Sequence, residues 1–212
     1  MIIMENKLKI SVTGLSLFNE CKLCFWLKYK KGIKRPGVPV ATIANGLDRV
    51  IKEYMNRYRP KVPPFLKGKI PGKLIEELPA SLTFEHKGII LKGKLDECVV
   101  LKNGMHAALD HKTKGFGVKE IHASYQLQMD GYTYLLRENG HKTGDVAFLA
   151  YYIPDFGELH KGIPFKLDVR ELKVNPDRIP KLLDEIRELL EGDGPEPSEE
   201  CGFCKFVDER NT

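Results

Sequence analysis

A predicted β-hairpin constrains the fold of this chain more than any other feature. The hairpin lies within Gly93–Gly115, which reads GKLDECVVLKNGMHAALDHKTKG. Two apolar-rich strand patterns, Ile89–Leu101 and Met105–Thr113, flank Asn103-Gly104. An Asn-Gly pair between two such runs is a strong short-range signal for an antiparallel hairpin. The charged residues of this segment are therefore expected on strands, where successive side chains point to opposite faces.

Two registers of this hairpin have different consequences for Asp96 and Asp110. A two-residue loop at Asn103-Gly104 would place Asp96 beside His111 and turn the two aspartates to opposite faces of the sheet. A three-residue loop, with Gly104 in the left-handed conformation of a bulge, would instead place Asp96 opposite Asp110. We predict the second register. Because like charges directly opposite each other destabilise a sheet, this pair indicates a cation between the carboxylates.

The motifs around this pair resemble those of the PD-(D/E)XK nuclease superfamily, particularly its RecB-like branch. In that branch GxxD on one strand is followed by DxK on the next, and here the motifs read Gly93-Lys94-Leu95-Asp96 and Asp110-His111-Lys112. The resemblance implies that Asp96 and Asp110 hold one or two magnesium or manganese ions, to which His111 lends its backbone carbonyl. It also implies that Lys112 positions or activates the attacking water. Carboxylate oxygens suit hard divalent cations, and a nearby ammonium stabilises negative charge that develops on a phosphate.

Two helical patterns precede the hairpin. The first covers Thr13–Lys30, and the second runs from Ile43 to Tyr58. In RecB-like nucleases a helix before the hairpin often contributes a histidine to the metal site, but this chain has no histidine there. Asp48 looks like the substituted position, so the resemblance implies that it is a metal ligand. A solvent-facing aspartate is the alternative.

A proline-rich segment precedes the hairpin and a further helix follows it. Arg59–Ala80 contains five prolines, too many for an uninterrupted helix or a central strand. Its four lysines indicate either solvated surface or the border of a nucleic-acid groove. The helix is predicted over Val118–Asn139, with Gln128 and Tyr132 on one face. This Q-x-x-x-Y resembles a motif that follows the DxK strand in RecB-like nucleases, which implies substrate binding by both residues; a hydrogen-bonded, half-buried pair is the alternative.

The remaining patterns complete the predicted fold. Asp145–Ile153 is apolar enough for a central strand, Pro164–Val174 alternates as a second strand, and Arg178–Leu190 has the apolar stripe of a helix. We therefore predict an α/β, restriction-endonuclease-like core in which helices flank a central mixed β-sheet. Residues 1–212 are predicted to form one domain, with its core at about 13–190 and a linker and cysteine-containing C-terminus at about 191–207.

Four of the five cysteines form two C-x-x-C pairs near opposite ends of the chain, Cys21/Cys24 and Cys201/Cys204. Because no secretory signal is evident, we expect reduced thiols, and four thiolates predict a metal site that joins the chain ends, here called the cysteine clasp. The pattern suits zinc but leaves the metal open. Several RecB-like nucleases, including CRISPR-associated ones, bind a 4Fe-4S iron–sulfur cluster at terminal cysteines, so the resemblance favours iron–sulfur. Those relatives generally use one N-terminal and three C-terminal cysteines, whereas this chain has two and two.

The overall charge agrees with a polyanionic partner. The formal net charge of +5 permits such a partner without requiring one. No stretch approaches the roughly 18 apolar residues of a membrane span, so we expect a cytoplasmic protein without a membrane partner. The resemblance implies a metal-dependent deoxyribonuclease that cuts single-stranded regions or DNA ends, with DNA-repair or CRISPR-adaptation proteins as candidate partners. The alternative is a non-catalytic DNA-binding or repair-complex module whose metal clasp is structural.

Overall fold

The structure of the protein, a computed structural model, describes residues 7–37 and 42–211, without the side chains of 210 and 211. Within these ranges the chain forms eight β-strands and six α-helices. The strands are β1 (Leu8–Ser11), β2 (Gly72–Leu74), β3 (Leu82–His86), β4 (Ile89–Gly93), β5 (Glu97–Leu101), β6 (His106–Thr113), β7 (Val146–Pro154) and β8 (Phe165–Lys173). The helices are α1 (Leu15–Glu20), α2 (Lys22–Lys30), α3 (Thr42–Tyr58), α4 (Ala123–Glu138), α5 (Arg178–Glu191) and α6 (Gly202–Asn211).

The larger of two sheets has five strands in the order β2-β5-β6-β7-β8. Strands β6 and β7 run parallel, whereas the other neighbours in this sheet are antiparallel. A parallel pair needs a crossover connection, and α4 lies in the connection between β6 and β7. The sheet is therefore mixed and flanked by helices, which confirms the predicted α/β fold class.

Strand β7 lies inside the larger sheet and is covered on both faces. Its residues alternate between two apolar clusters, with Leu149 and Tyr151 in one and Phe148 and Ala150 in the other. The first cluster contains buried residues of α1, α2, α4 and α5, and the second contains buried residues of α3. A continuous apolar run is typical of a strand buried on both faces. The predicted central position of Asp145–Ile153 is confirmed.

The prediction of one continuous strand over Ile89–Leu101 is wrong. Strand β4 ends at Gly93 and β5 begins at Glu97, and the two belong to different sheets. β4 pairs with β1 and β3 in a three-stranded sheet. Gly93 packs closely against α4, since a Cβ atom there would lie 2.7 Å from Leu135 Cδ1, and Leu95 is buried just beyond it. Asp96 is therefore presented by the connection between two sheets.

Two predicted helix boundaries are also wrong. The helix predicted over Thr13–Lys30 is split into α1 and α2, because Cys21 is extended between them with φ −163° and ψ 108°. The Cys21 Sγ accepts a hydrogen bond of 3.4 Å from the Cys24 N–H and so acts as the N-cap of α2. Helix α4 begins at Ala123 and not at Val118, because His122 Nδ1 caps it by accepting from the Ser124 N–H at 3.2 Å.

The other predicted elements agree with the structure, but four observed elements, β1, β2, β3 and α6, were not predicted. The predicted bounds of α3 and α5 each differ from the observed ones by a single residue. The proline-rich segment contains a 3-10 turn at Pro64–Leu66 and the edge strand β2, which was not predicted. Among the described residues no helix is long and apolar enough to cross a membrane. The assignment of residues 1–212 to one domain stays a prediction.

Candidate active site

The β5–β6 hairpin has the register that brings Asp96 and Asp110 opposite each other. Glu97 pairs with Leu109, and each step along the ladder keeps this register as far as Val100 and His106. The Leu101 N–H donates to the Met105 carbonyl at 2.8 Å, and the Gly104 N–H donates to the Leu101 carbonyl at 2.9 Å. Gly104 has φ +78°, the left-handed conformation that glycine adopts without strain. The predicted three-residue loop is confirmed.

The Asp96 carboxylate is partly buried and held by two donors. Its Oδ2 atom accepts the His111 backbone N–H at 3.0 Å, and its Oδ1 atom lies 2.9 Å from Lys52 Nζ. Burial by itself would raise the pKa of Asp96, but the hydrogen bonds from Lys52 and from the His111 backbone outweigh burial and lower it. Asp96 is therefore a fixed anion at neutral pH.

The Asp110 carboxylate lies deeper, with only 2% of the residue exposed. Burial raises its pKa to about 6; the Lys112 ammonium opposes this shift and the neighbouring Asp96 carboxyl adds to it. Gln128 Nε2 donates to Asp110 Oδ1 at 3.1 Å. The other oxygen, Oδ2, is ion-paired with Lys112 Nζ at 2.6 Å. Asp110 is thus a buried carboxylate held by Gln128 on one oxygen and by Lys112 on the other.

Lys112 is the positively charged member of the three predicted catalytic residues, beside Asp96 and Asp110. Its Nζ atom donates to Gln128 Oε1 at 2.9 Å, in addition to its ion pair with Asp110. The same ammonium lies 4.6 Å from the centre of the Tyr125 ring, and Lys114 Nζ lies 5.6 Å from it. A cation over an aromatic face at this distance is attracted by the ring quadrupole. Helix α4 thus fixes the end of the Lys112 side chain through both Gln128 and Tyr125.

Gln128 and Tyr132 lie one helical turn apart on α4, as predicted. Gln128 Nε2 donates to the Tyr132 hydroxyl at 3.1 Å as well as to Asp110. Both residues are buried. The Gln128 amide joins the Asp110 carboxylate to the Lys112 ammonium, and Tyr132 holds the amide in place. The geometry resembles the hydrogen-bonded alternative, while substrate binding by these two residues stays a prediction.

Helix α3 brings Asp48 and Lys52 to the same site. Lys52 Nζ lies 2.8 Å from Asp48 Oδ1 and 2.9 Å from Asp96 Oδ1. Burial would lower the pKa of Lys52, but its hydrogen bonds to Asp48 and Asp96 raise it well above the ordinary value. The sequence analysis missed Lys52, although the Asp48-to-Lys52 spacing of i, i+4 on a predicted helix was visible. Asp48 lies near the site, and its role as a metal ligand stays a prediction.

The His111 side chain points to the opposite face of β6 from its two neighbours, as strand alternation requires. Its Nδ1 atom is within hydrogen-bonding distance of the Tyr152 hydroxyl, 3.2 Å away. Burial lowers the pKa of this imidazole to about 4, although the Asp96 carboxylate opposes the shift. His111 is therefore neutral at physiological pH and offers the site only its backbone. The predicted role of its carbonyl as a metal ligand stays a prediction.

Glu97 and Arg59 form a buried ion pair that the sequence analysis missed. Arg59 Nη2 lies 2.5 Å from Glu97 Oε2, and Arg59 Nη1 donates to the Ile75 carbonyl at 3.1 Å. Burial raises the pKa of Glu97 to about 7, although Arg59 opposes this. Because a buried carboxylate without its partner is strongly destabilising, we assign this pair to holding β5 against the proline-rich segment.

The four cysteines of the cysteine clasp come together, as predicted. Their Sγ atoms all lie within 4.8 Å of one another, with Cys21 to Cys204 at 3.6 Å and Cys24 to Cys201 at 3.8 Å. All four are free thiols. Burial would raise the pKa of Cys201, but hydrogen bonds from the Cys204 backbone and thiol lower it to about 6. Burial raises the pKa of Cys204 to about 12, so these thiols need a bound cation to ionise together.

Arg35 contacts the cysteine clasp from the segment that follows α2. Its Nη2 atom donates to Cys201 Sγ at 3.3 Å, and its Nη1 atom pairs with Glu20 Oε2 at 3.0 Å. The guanidinium lies 4.8 Å from the centre of the Phe203 ring. A positive group beside a thiolate stabilises the ionised form. No spacing in the sequence connects Arg35 to cysteines far along the chain, so sequence reasoning had no signal for it.

The two sites fit different metals. The first brings the carboxylate oxygens of Asp96 and Asp110 together, the donor set of a hard divalent cation such as Mg²⁺ or Mn²⁺. The second offers four thiolates, the donor set of zinc or of iron–sulfur clusters. Lys112 in the first site adds a cation that can face a phosphate. This arrangement can hold a metal ion next to a positive charge, and both can stabilise the negative charge that develops in phosphodiester hydrolysis.

Comparison with known proteins gives a family match. The sequence model of the PD-(D/E)XK nuclease superfamily matches residues 44–208. This range includes Asp96, Asp110, Lys112 and the second cysteine pair, but not Cys21 or Cys24. Among solved structures, the chain is similar to one described as "Crystal structure of SSO0001", with a TM-score of 0.49 and 17% identity, over 91% of this chain and 81% of that chain. The comparison with curated proteins found no match.

Proposed function

This chain belongs to the PD-(D/E)XK nuclease superfamily, and from that premise we propose that it is a metal-dependent deoxyribonuclease. The observation that carries the proposal is the convergence of the Asp96 and Asp110 carboxylates with the Lys112 ammonium at one hairpin. The order GxxD then DxK further supports assignment to the RecB-like branch. The proposed reaction is hydrolysis of a phosphodiester bond.

Asp96 and Asp110 are the proposed ligands of Mg²⁺ or Mn²⁺, with the His111 carbonyl and Asp48 as further oxygen donors. The register of the hairpin, which brings the Asp96 and Asp110 carboxylates opposite each other, supports this assignment. A divalent ion bound there would polarise the phosphate and lower the pKa of a water. The two ligand carboxylates are already positioned, because the His111 N–H orients Asp96 and the Gln128 amide orients Asp110.

Lys112 is proposed to act on the charge that develops during hydrolysis. Its ammonium is held between the Asp110 carboxylate and the Gln128 amide, so it needs no reorganisation when the phosphate becomes more negative. Gln128 and Tyr132 are proposed to preserve this geometry from α4 and to border the bound substrate. Of the two roles, the first has the direct support of the hydrogen bonds.

The proposed substrate is DNA, cut at single-stranded regions or ends. The positive net charge and the lysine-containing segment before β2 support a polyanionic partner. The resemblance to RecB-like nucleases supports DNA-repair or CRISPR-adaptation proteins as partners and a cytoplasmic location. These assignments rest on the resemblance.

For the cysteine clasp we propose a single metal centre, with zinc favoured by the spacing of the thiols. Four thiolates that bind one ion tetrahedrally at about 2.3 Å have their sulfurs about 3.8 Å apart. The two closest sulfur pairs, at 3.6 and 3.8 Å, agree with that spacing. In a 4Fe-4S cluster each thiolate binds a different iron, so the sulfurs stand further apart. Protein purified without oxygen should be colourless and contain one zinc; a brown protein with stoichiometric iron and sulfide would establish the cluster that the resemblance favours.

The nuclease proposal is tested with end-labelled single-stranded, double-stranded and forked DNA. Cleavage should require added Mg²⁺ or Mn²⁺, stop in EDTA and be absent from Asp110→Asn. Asp184→Asn is the matched control, because Asp184 on α5 pairs with His86 and Lys87 at the β3–β4 turn of the smaller sheet. It should retain wild-type activity.

The alternative function is a non-catalytic DNA-binding or repair-complex module. A folded wild-type protein that binds DNA but cleaves none of these substrates with either metal would favour it. The pattern of end-labelled products also separates exonuclease from endonuclease action. An exonuclease shortens the strand stepwise from one end and so releases the label at that end first, whereas an endonuclease cuts inside the strand.

A further inference from the structure

Lys52 occupies the space between two of the carboxylates that would bind a divalent ion. Its ammonium contacts both oxygens of Asp48, at 2.8 and 2.9 Å, and Asp96 Oδ1 at 2.9 Å. The remaining oxygen of Asp96 already accepts the His111 N–H. A cation that bound Asp48 together with Asp96 Oδ1 would therefore compete with the Lys52 ammonium for these oxygens.

This contact differs from an ordinary surface pair on a helix. Arg57 and Glu53 form such a pair on the same helix, with 69% and 62% of their side chains exposed. Lys52 is 35% exposed, and besides its i, i+4 partner it contacts Asp96, whose side chain is 17% exposed. Charge interactions strengthen where solvent is excluded. The Lys52 contact therefore involves the proposed ligand itself, with less screening than the Arg57 pair.

We propose that Lys52 is a resident counter-ion of the site, which competes with the divalent ion and sets its affinity. The inference rests on the proposed function, because it assumes that Asp96 binds the ion. Without metal, Lys52 offsets the repulsion between the Asp48 and Asp96 carboxylates. An ion that bound there would displace the Lys52 ammonium from the carboxylates. The ammonium, still nearby, would repel the ion. Binding is therefore weaker than the carboxylates alone would allow.

The test measures Mn²⁺ binding by calorimetry on the full chain without DNA, at neutral pH. Lys52→Met keeps an unbranched side chain of nearly the same length and removes its charge, so Mn²⁺ should bind about tenfold tighter or more, since one unit charge within about 4 Å acts on a divalent ion. Lys52→Gln should change the affinity in the same direction. Arg57→Met, the matched control on α3, should leave it within about twofold of wild type.

Thermal melting provides a second readout that does not depend on catalysis. Without metal, Lys52→Met should melt lower than wild type because Asp48 and Asp96 repel each other. Saturating Mn²⁺ should raise its melting temperature by more than it raises that of the wild type, since tighter binding to the folded state stabilises it more. Arg57→Met should show the wild-type gain.

The outcomes separate this inference from the proposed function. If the wild type binds Mn²⁺ and Asp110→Asn does not, but both Lys52 variants bind with unchanged or weaker affinity, the counter-ion role is wrong and the metal site stands. If the wild type binds no Mn²⁺, the proposed function is wrong and this inference with it. Tighter binding in both Lys52 variants, with Arg57→Met unchanged, supports the proposal.

Discussion

At the scale of single residues, the ionisation of Asp110 controls when the site can accept a metal ion. Burial raises the pKa of this carboxyl to about 6, and the adjacent Asp96 carboxyl adds to that shift. A proton and a metal ion compete for the same carboxylate, so lowering the pH weakens metal binding. We expect the Mn²⁺ dissociation constant to rise about tenfold per pH unit below pH 6 and to level off above it. Calorimetry between pH 5 and pH 8 checks this.

Glu97 provides the control for that pH dependence, because burial places its pKa at about 7 and it would titrate in the same range. If Asp110 causes the pH dependence of Mn²⁺ binding, that dependence should persist in Glu97→Gln. An Mn²⁺ affinity that stays constant from pH 5 to pH 7 would contradict the assignment of Asp110 as a ligand.

Lys112 is expected to act in turnover and not in DNA binding. Lys112→Met should lower kcat by about 10²- to 10³-fold, the usual effect of losing one preorganised charge at the reacting group. DNA affinity measured with Ca²⁺ in place of Mg²⁺ should change little. Lys114→Met is the matched control, because Lys114 lies over the same Tyr125 ring but makes no ion pair with Asp110. A proportional loss of affinity and turnover in Lys112→Met would make Lys112 a phosphate anchor.

The residues of the site differ in how far the sequence could reveal them. Asp110 and Lys112 lie on one strand and Asp96 directly precedes the paired strand, so strand alternation together with the choice of a three-residue loop predicted their relation. The Asp48–Lys52 spacing was visible in the sequence, but the contact of Lys52 with Asp96 was not predictable, because it depends on how α3 packs on the sheet. Arg35 depends in the same way on the position of Cys201.

At the scale of elements, the connection between β4 and β5 links the hairpin to α4. A Cβ atom at Gly93 would lie 2.7 Å from Leu135 Cδ1 and 3.1 Å from the Tyr132 ring. Gly93→Ala should therefore push α4 away from the hairpin and destabilise the fold by about 1–3 kcal/mol, the range for overpacked sites. Because α4 also carries Gln128, cleavage should fall by more than the loss of folded protein explains.

Gly117→Ala is the control for that change, since nothing lies within 4 Å of a Cβ atom there. Chemical denaturation and the cleavage rate of the folded fraction measure the two effects. Equal stability of the two variants would show that α4 tolerates the added methyl group and that the glycine of the GxxD motif has another role.

The element boundaries that were wrong have a common physical cause. Apolar periodicity continues through Cys21 and through Lys94–Asp96, so the sequence pattern alone shows no break. The break at Cys21 follows from the thiol that caps α2, and the break after Gly93 follows from its close packing on α4. Both are tertiary effects. The central strand β7 and helix α5, in contrast, were predicted well because their apolar patterns match their own burial.

At the scale of the whole molecule, the two ends of the described chain meet at α2. Cys21 and Cys24 face Cys201 and Cys204 in the cysteine clasp. The end of α5 reaches the same helix, where Trp26 Nε1 donates to the Gly192 carbonyl at 3.2 Å and Lys30 Nζ donates to the Leu190 carbonyl at 2.7 Å. Contacts other than the thiols therefore also hold this region, so losing the metal is expected to weaken the fold without abolishing it.

The cysteine clasp is expected to contribute to stability as one unit. A metal site that is absent from the unfolded chain turns its binding free energy into folding stability. Cys201→Ser should lower the melting temperature by about 10 °C, which corresponds to about 3 kcal/mol for a domain of this size. Lys205→Ala, an exposed change on α6, should leave it unchanged.

Coupling between the two cysteine pairs distinguishes one shared site from two separate effects. If a single ion binds all four thiolates, Cys21→Ser already removes that ion, so the double variant Cys21→Ser/Cys201→Ser should melt close to either single variant. Removing the metal from the wild type with a strong chelator should give the same melting temperature. Independent packing roles would instead make the two losses add, and a chelator would then leave the wild type unaffected. Additive losses would show that the thiols act by separate packing and not through one shared metal. A wild type that contains neither zinc nor iron and melts like Cys201→Ser would show that the cysteine clasp does not stabilise the fold.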